Sequence, residues 1–273
     1  MNTIESYKSL AKELFHALHL STYPVVIKFL KSVDEIPATA MRPSIFGKKM
    51  AICQAFTHAR RWGTTVAITA EDNFCTPATA MHRWVDISMD EIIQSQVLQG
   101  WHKDIESEQR RFKAFADIMG NDFIVDTKKY IGLVCAPANE VSFIPDSILI
   151  YCDGVQLTHI IQALSYEHKH VPTSMFEGFE ESCIKGALMP FITRKPQVVI
   201  PGAGDRSFAS ISEHELGIGM PAFLLSYVME NLFKTGGFMN IGYPMKSMIN
   251  MDLNEELTPG FKFLWDKFSD DKK

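Results

Sequence analysis

Thiols are the groups of this sequence with the widest chemistry, and the five cysteines divide by their surroundings. A cysteine attacks or binds metal as the thiolate, so one beside a helix start or polar turn differs in prospect from one inside an apolar strand. Cys53, Cys75 and Cys183 are of the first kind, next to Gln54, Thr76 and Lys185. Cys135 and Cys152 are of the second, flanked by Leu133, Val134, Ile150 and Tyr151, where a free cysteine acts as a small hydrophobe. Three thiolates suit an iron-sulfur cluster, 4Fe-4S in type, with one iron left open to substrate, as an open position separates catalytic from structural zinc. Positions 53, 75 and 183 fit no compact ferredoxin or zinc run, so two readings stand: ligands of one shared site, or ordinary thiols.

The other candidates cluster near these cysteines. In "PGAGDR", Gly202 and Gly204 permit a positive φ or a close backbone approach. Their N–H groups with Arg206 could receive a carboxylate or phosphate, and a plain strand-exit turn with a surface Asp-Arg pair is the alternative. No third glycine or Lys-Ser/Thr follows, so neither the dinucleotide nor the phosphate loop is matched. His58 and Asp205 are the candidate acid-base groups, and His82 stands near Cys75 in a similar way. Arg60, Arg61 and Arg83 could favour a thiolate or hold an anion, Arg60 being the one taken as substrate-binding. Glu180 and Glu181 are read as helix-start charges ahead of Cys183. The sequence contains no Gly-x-Ser-x-Gly, His-Glu-x-x-His or Cys-x-x-Cys.

Positioning these groups requires a folded core, and 273 residues, 46% hydrophobic and 22% charged, are enough for one. A net charge of −5 argues against nucleic acid and anionic lipid as partners, which are held by many Lys and Arg. Lys8, Lys12 and Glu13 interrupt the N-terminal apolar run, so neither a signal peptide nor a membrane span is expected. The expectation is a cytoplasmic protein with a small anionic molecule as partner; a homo-oligomer is left open. An odd, scattered set of cysteines makes a disulfide framework a poor fit.

The expected architecture is α/β, a mixed sheet flanked by helices, in a single domain over 1–273. Strands are expected in "YPVVIKFL", "TTVAIT", "YIGLVCAP", "SILIYC" and the β-branched run before "PGAGDR". Helices are expected at the N-terminus, over "MAICQAFTHARRWG", as one or two between Ser88 and Met119, and over "GVQLTHIIQALSY". A further one is expected over "GMPAFLLSYVMENLF", with Pro221 in its first turn and its end at Gly236. "TPGFKFLWDKF" is a short amphipathic end segment. "CQAFTHARRWGTTVAI" and "CIKGALMPFITRKPQVVI" share the order cysteine, helix, basic pair, strand, which raises a weak internal duplication.

The order of three segments, "C…ARRWG…VAIT…C", "PDSILIYCDGVQLTHIIQALSY" and "SCIKGALMP…VVIPGAGDR…EL…GMPA", resembles the DUF169 family over roughly residues 10 to 235. The resemblance implies that Cys53, Cys75 and Cys183 are the family's recurrent cysteines and that Gly202, Gly204, Asp205 and Arg206 are its turn. "CTPATA" replaces the glycines that the family tends to carry after its second cysteine. Two functions are then expected, in order. One is an iron-sulfur enzyme, a lyase or sulfur-transfer type, acting on a small anion through an open iron. The other is a non-catalytic sensor or accessory protein that binds a cluster or ligand.

Overall fold

A computed structural model describes residues 3–120, 129–235 and 259–270. Six strands form one sheet in the order β2-β3-β1-β4-β6-β5: β1 Val25–Leu30, β2 Val66–Thr69, β3 Gly132–Pro137, β4 Ser147–Cys152, β5 Gln197–Val199 and β6 Leu216–Pro221. Every ladder between named strands is antiparallel. Among the described residues, parallel pairing is limited to three isolated bridges: Met41 to Val66 and Thr173 to Gln197, one at each edge strand, and Met50 to Asn73. The strands nevertheless read as unbroken apolar runs, the habit of parallel sheets, because helices cover both faces and bury nearly every strand residue.

One face carries α1 Ile4–Leu18, α6 Gly154–Ser165 and α9 Leu224–Asn231. Thr3 caps α1 by accepting from Ser6 N. Asp153 caps α6, and Gln156 reaches out from its first turn to donate to the Leu18 and His19 carbonyls, tying α6 to the end of α1. The other face carries α2 Ile52–Trp62, α3 Thr76–Met81, α4 Met89–Leu98, α5 Ile105–Met119, a π-helix Glu181–Leu188, α7 Met189–Thr193 and α8 Ala203–Ala209. An amphipathic α10, Pro259–Asp270, lies beyond. Ser88 and Asp104 cap α4 and α5, which settles the Ser88–Met119 stretch as two helices.

Two expectations change. "GMPAF" does not open a helix: Gly219 to Pro221 end β6, and α9 starts at Leu224; Gly236, its expected end, lies outside the described residues. Glycines that look like breakers are there for clearance, since a Cβ on Gly219 would stand 1.9 Å from the Gly186 carbonyl oxygen of the π-helix. A Cβ on Gly186 would meet Leu149 Cδ1 at 2.9 Å. This glycine pair lets the Cys183 helix lie against the backbone of the sheet. The turn-rich "CTPATA" is α3, with Pro77 in its first turn.

The sheet is also two copies of one pattern. In each half a strand (β1, β4) leads through a helix (α2; the π-helix and α7) to an edge strand (β2, β5). A short helix (α3, α8) follows the edge strand and precedes a strand inserted between the two (β3, β6); α4 and α5 before β3, and α6 after β4, have no counterpart in the other half. The halves meet at β1 and β4, whose ladder centres on Val26 opposite Ile148. Even the outer bridges correspond, Val66 in β2 and Gln197 in β5 each taking a parallel partner. Strand order and register are symmetric about the Val26–Ile148 pair, the arrangement that a duplication of the shared segment order would produce.

Candidate functional site

Cys53 stands in the first turn of α2, Cys183 in the first turn of the π-helix, and Cys75 at the N-cap of α3. All three line one cavity of about 360 Å³. Each pair of thiols is close enough for one to oppose ionisation of another. Burial is the larger effect: it raises Cys53, Cys75 and Cys183 above the ordinary thiol range, and Asp205 adds to it. The thiols are therefore neutral in the metal-free protein, and the nearby arginines do not offset this. Cys53 Sγ donates to the Gly204 carbonyl at 3.9 Å. Cys135 and Cys152 sit inside β3 and β4, buried, with Cys135 pushed up to about 12 by that burial.

Asp205 and Gly204 line the same cavity. Asp205 lies in the first turn of α8 and accepts from Gly202 N at 2.9 Å and Ser182 N at 3.3 Å. It thus joins α8 to the π-helix, and burial raises its carboxyl above the usual range. The "PGAGDR" glycines are accordingly a helix start whose free N–H is taken by the chain's own Asp205. Gly202 makes the close approach that its residue type allowed: a Cβ there would lie 2.5 Å from the Gly178 carbonyl oxygen.

The remaining candidates are elsewhere. Arg60 is buried, forked onto Glu215 at 2.5 and 3.1 Å and stacked over Tyr151 at 4.3 Å. Arg206 donates to the Ser212 carbonyl at 2.5 Å and the Glu215 carbonyl at 3.5 Å, so it holds the 210–215 turn. Arg61 also reaches Glu215, and Arg83 donates to the Ile87 carbonyl. His58 packs edge-on to Trp62, and its pKa is lowered by burial. His82 is buried under Trp84, its ring held down to about 3 by desolvation, with the Cys183 main chain beside it. None of these six lines the cavity.

Sequence reasoning missed the rest of the wall. Phe74, Trp101, Phe179 and Phe208 give it an aromatic lining, and Glu180 and Glu181 also border it. Behind them Arg111 pairs with Glu108 at 3.0 Å, Glu177 at 2.9 Å and Glu180 at 2.6 Å. Lys185, 1% exposed, pairs with Glu177 at 2.8 Å and Glu181 at 2.9 Å. His102 is paired with Glu108. Glu180 takes φ 52°, an uncommon conformation for a residue with a Cβ, immediately before the π-helix. Strain and π-helical segments both concentrate at functional sites. The signal in the sequence was "FEGFEESCIKG", acids and a lysine too crowded around one cysteine for an ordinary capped helix.

A doubly covered α/β sheet with a three-thiol cavity among the helices of one face is the class that fold and site define. The chain belongs to the DUF169 family, described as Uncharacterised ArCR, whose model matches residues 13–231. It is also similar to the Uncharacterized protein MJ0308 of Methanocaldococcus jannaschii, 22% identical over 223 residues that cover 81% of this chain and 91% of that protein. No solved structure matches it. Among the described residues no helix is long and apolar enough to cross a membrane.

Proposed function

We propose that Cys53, Cys75 and Cys183 hold an iron-sulfur cluster of the 4Fe-4S type, and that the cavity beside them binds a small molecule for an enzymatic reaction. The observation that supports this is selective convergence: three cysteines from three separate segments line one cavity, while the two strand cysteines stay out of it. Among the described residues no three His, Cys, Asp or Glu are grouped to hold a single metal ion. The donor set that shares the cavity is three thiols, and a polynuclear cluster accepts ligands set farther apart than one ion does. The cluster would supply an open iron as a Lewis acid or a source of sulfur.

The protein's own groups have separate tasks. Phe179, Phe208 and Trp101 give the cavity an apolar wall for substrate to pack against. Asp205, with its raised pKa, keeps its proton to a higher pH than an exposed carboxyl, which suits it to give a proton to bound substrate. The arginines expected to clamp an anion are engaged with Glu215 and with the 210–215 turn, so substrate is held by the cavity wall itself.

Protein purified without oxygen should be brown and hold about four irons and four sulfides per chain. Serine in place of Cys53, Cys75 or Cys183 should abolish that content, whereas alanine at Cys135 or Cys152 should preserve it. Colourless, iron-free protein would overturn the reading, and iron without catalytic turnover would leave the sensor role instead.

A further inference from the structure

We propose that the molecule taken by this cavity is uncharged and mainly apolar, about one substituted ring in size, and is recognised by packing against Phe74, Trp101 and Phe208. The inference rests on the cavity being a substrate site but not on the cluster. These three side chains line the cavity and are nevertheless 61%, 38% and 55% exposed. Phe74 and Phe208 meet edge to face at 6.4 Å, and Trp101 is stacked on Phe179 at 4.9 Å, so the rings are braced before any ligand arrives. Large apolar surface left open on a cavity wall gains free energy when a ligand covers it. Ala51, Pro77 and Ala78 continue the same apolar wall. At about 360 Å³ the cavity exceeds twice the roughly 150 Å³ of an apolar cavity that accepts benzene, which leaves room for one ring and its substituents.

The charged groups that border the cavity are occupied by the protein itself. Glu180 accepts from Gln96 Nε2 at 2.6 Å and from Arg111 at 2.6 Å, Glu181 pairs with Lys185 at 2.9 Å, and Asp205 accepts from Gly202 N and Ser182 N. Among the described residues no Lys, Arg or His lines the cavity, and Arg60 and Arg206 are committed to Glu215 and to main-chain carbonyls. The wall's other polar side chains besides the thiols, Thr76 and Gln99, are neutral. A charged ligand of either sign would give up its hydration without gaining a free counter-charge, a cost that packing alone does not offset. An uncharged ligand keeps the packing and avoids that cost.

The test is titration calorimetry at pH 7 with three probes built on one ring: benzyl alcohol, benzylamine, which is a cation at that pH, and benzoate. All three are titrated into the metal-free protein, and benzyl alcohol also into protein reconstituted with iron and sulfide. Benzyl alcohol should bind, and each ion should bind the metal-free protein at least about tenfold more weakly. Phe208→Ala, at an exposed ring, should lower benzyl alcohol affinity severalfold. Should that variant fail to fold, Phe74→Ala, at the second exposed ring, should do the same. Equal or tighter binding of either ion to the metal-free protein, unchanged benzyl alcohol affinity in a folded variant, or no benzyl alcohol binding to either form overturns the proposal. Iron uptake without benzyl alcohol binding overturns it and leaves the cluster standing, whereas benzyl alcohol preferred by protein that takes up no iron supports it and removes only the cluster.

Discussion

At the scale of residues, chemistry was legible by type and neighbour, and its destination was not. Arg206 looked like an anion clamp because glycines and an aspartate precede it, yet its guanidinium binds the Ser212 and Glu215 carbonyls. Arg206→Lys loses the fork and should cost about 1 kcal/mol in denaturant melts. Small-ligand affinity should stay unchanged, and a weakened ligand with unchanged stability would restore the clamp. The three thiols expected at helix starts and turns do line one cavity, whereas strand positions such as Cys135 are committed to the core. Cys135→Ala and Cys152→Ala should each cost on the order of 1 kcal/mol. Burial raises the three cavity thiols, so each favours the fold while neutral. That contribution is whole below the ordinary thiol value and is lost as pH rises from there toward the folded-state value. The metal-free protein should melt more easily as pH climbs past about 9, and Cys183→Ala should flatten that slope. Metal uptake must displace the same protons, so it strengthens with rising pH.

At the scale of elements, periodicity found the longer helices and all but one of the strands, while α3 and α8 were read as turns. It failed where tertiary contact overrides local preference. β6 carries Gly217 and Gly219 and was hidden by them, since glycine is depleted in strands unless another backbone comes close. Its reason, Gly186 on the π-helix, lies more than thirty residues earlier and has no local trace. Gly219→Ala should force the π-helix off the sheet and cost roughly 3 kcal/mol or more, read as a lowered denaturation midpoint and lost iron. Gly204→Ala is the control, because its Cβ would meet only Phe208 Cδ2, at 3.8 Å, and stability should hold. The cavity's aromatic wall was equally invisible: Phe74, Trp101, Phe179 and Phe208 come from four different segments, and only the sheet brings them together.

At the scale of the whole molecule, the two halves are joined along a short seam. Only Val25, Val26 and Ile27 pair with β4, against six register pairs in β1–β3 and six in β4–β6. Asp146 extends that seam: its carboxylate accepts from Phe29 N at 2.8 Å, its N–H donates to the Ile27 carbonyl, and its own carbonyl accepts from Ala222 N. Asp146→Ala strips the buried Phe29 N–H of its partner and should cost about 2 kcal/mol. Because the sheet is continuous, unfolding should remain a single transition by every probe; two transitions would mean that the halves are independent. The Pro-Asp before β4 was legible as a motif, while its place at the seam needed the register. A duplicated architecture also governs how many ligands it can offer. Strict two-fold symmetry supplies groups in pairs, and Cys53 and Cys183 are such a pair. Cys75 is not, for its counterpart at the start of α8 is Gly202, where Gly178 O leaves no room for any side chain. An odd number of thiols is something that two identical subunits cannot present on their shared axis. One continuous polypeptide can, and the vacancy opposite Cys75 is the asymmetry that covalent joining permits.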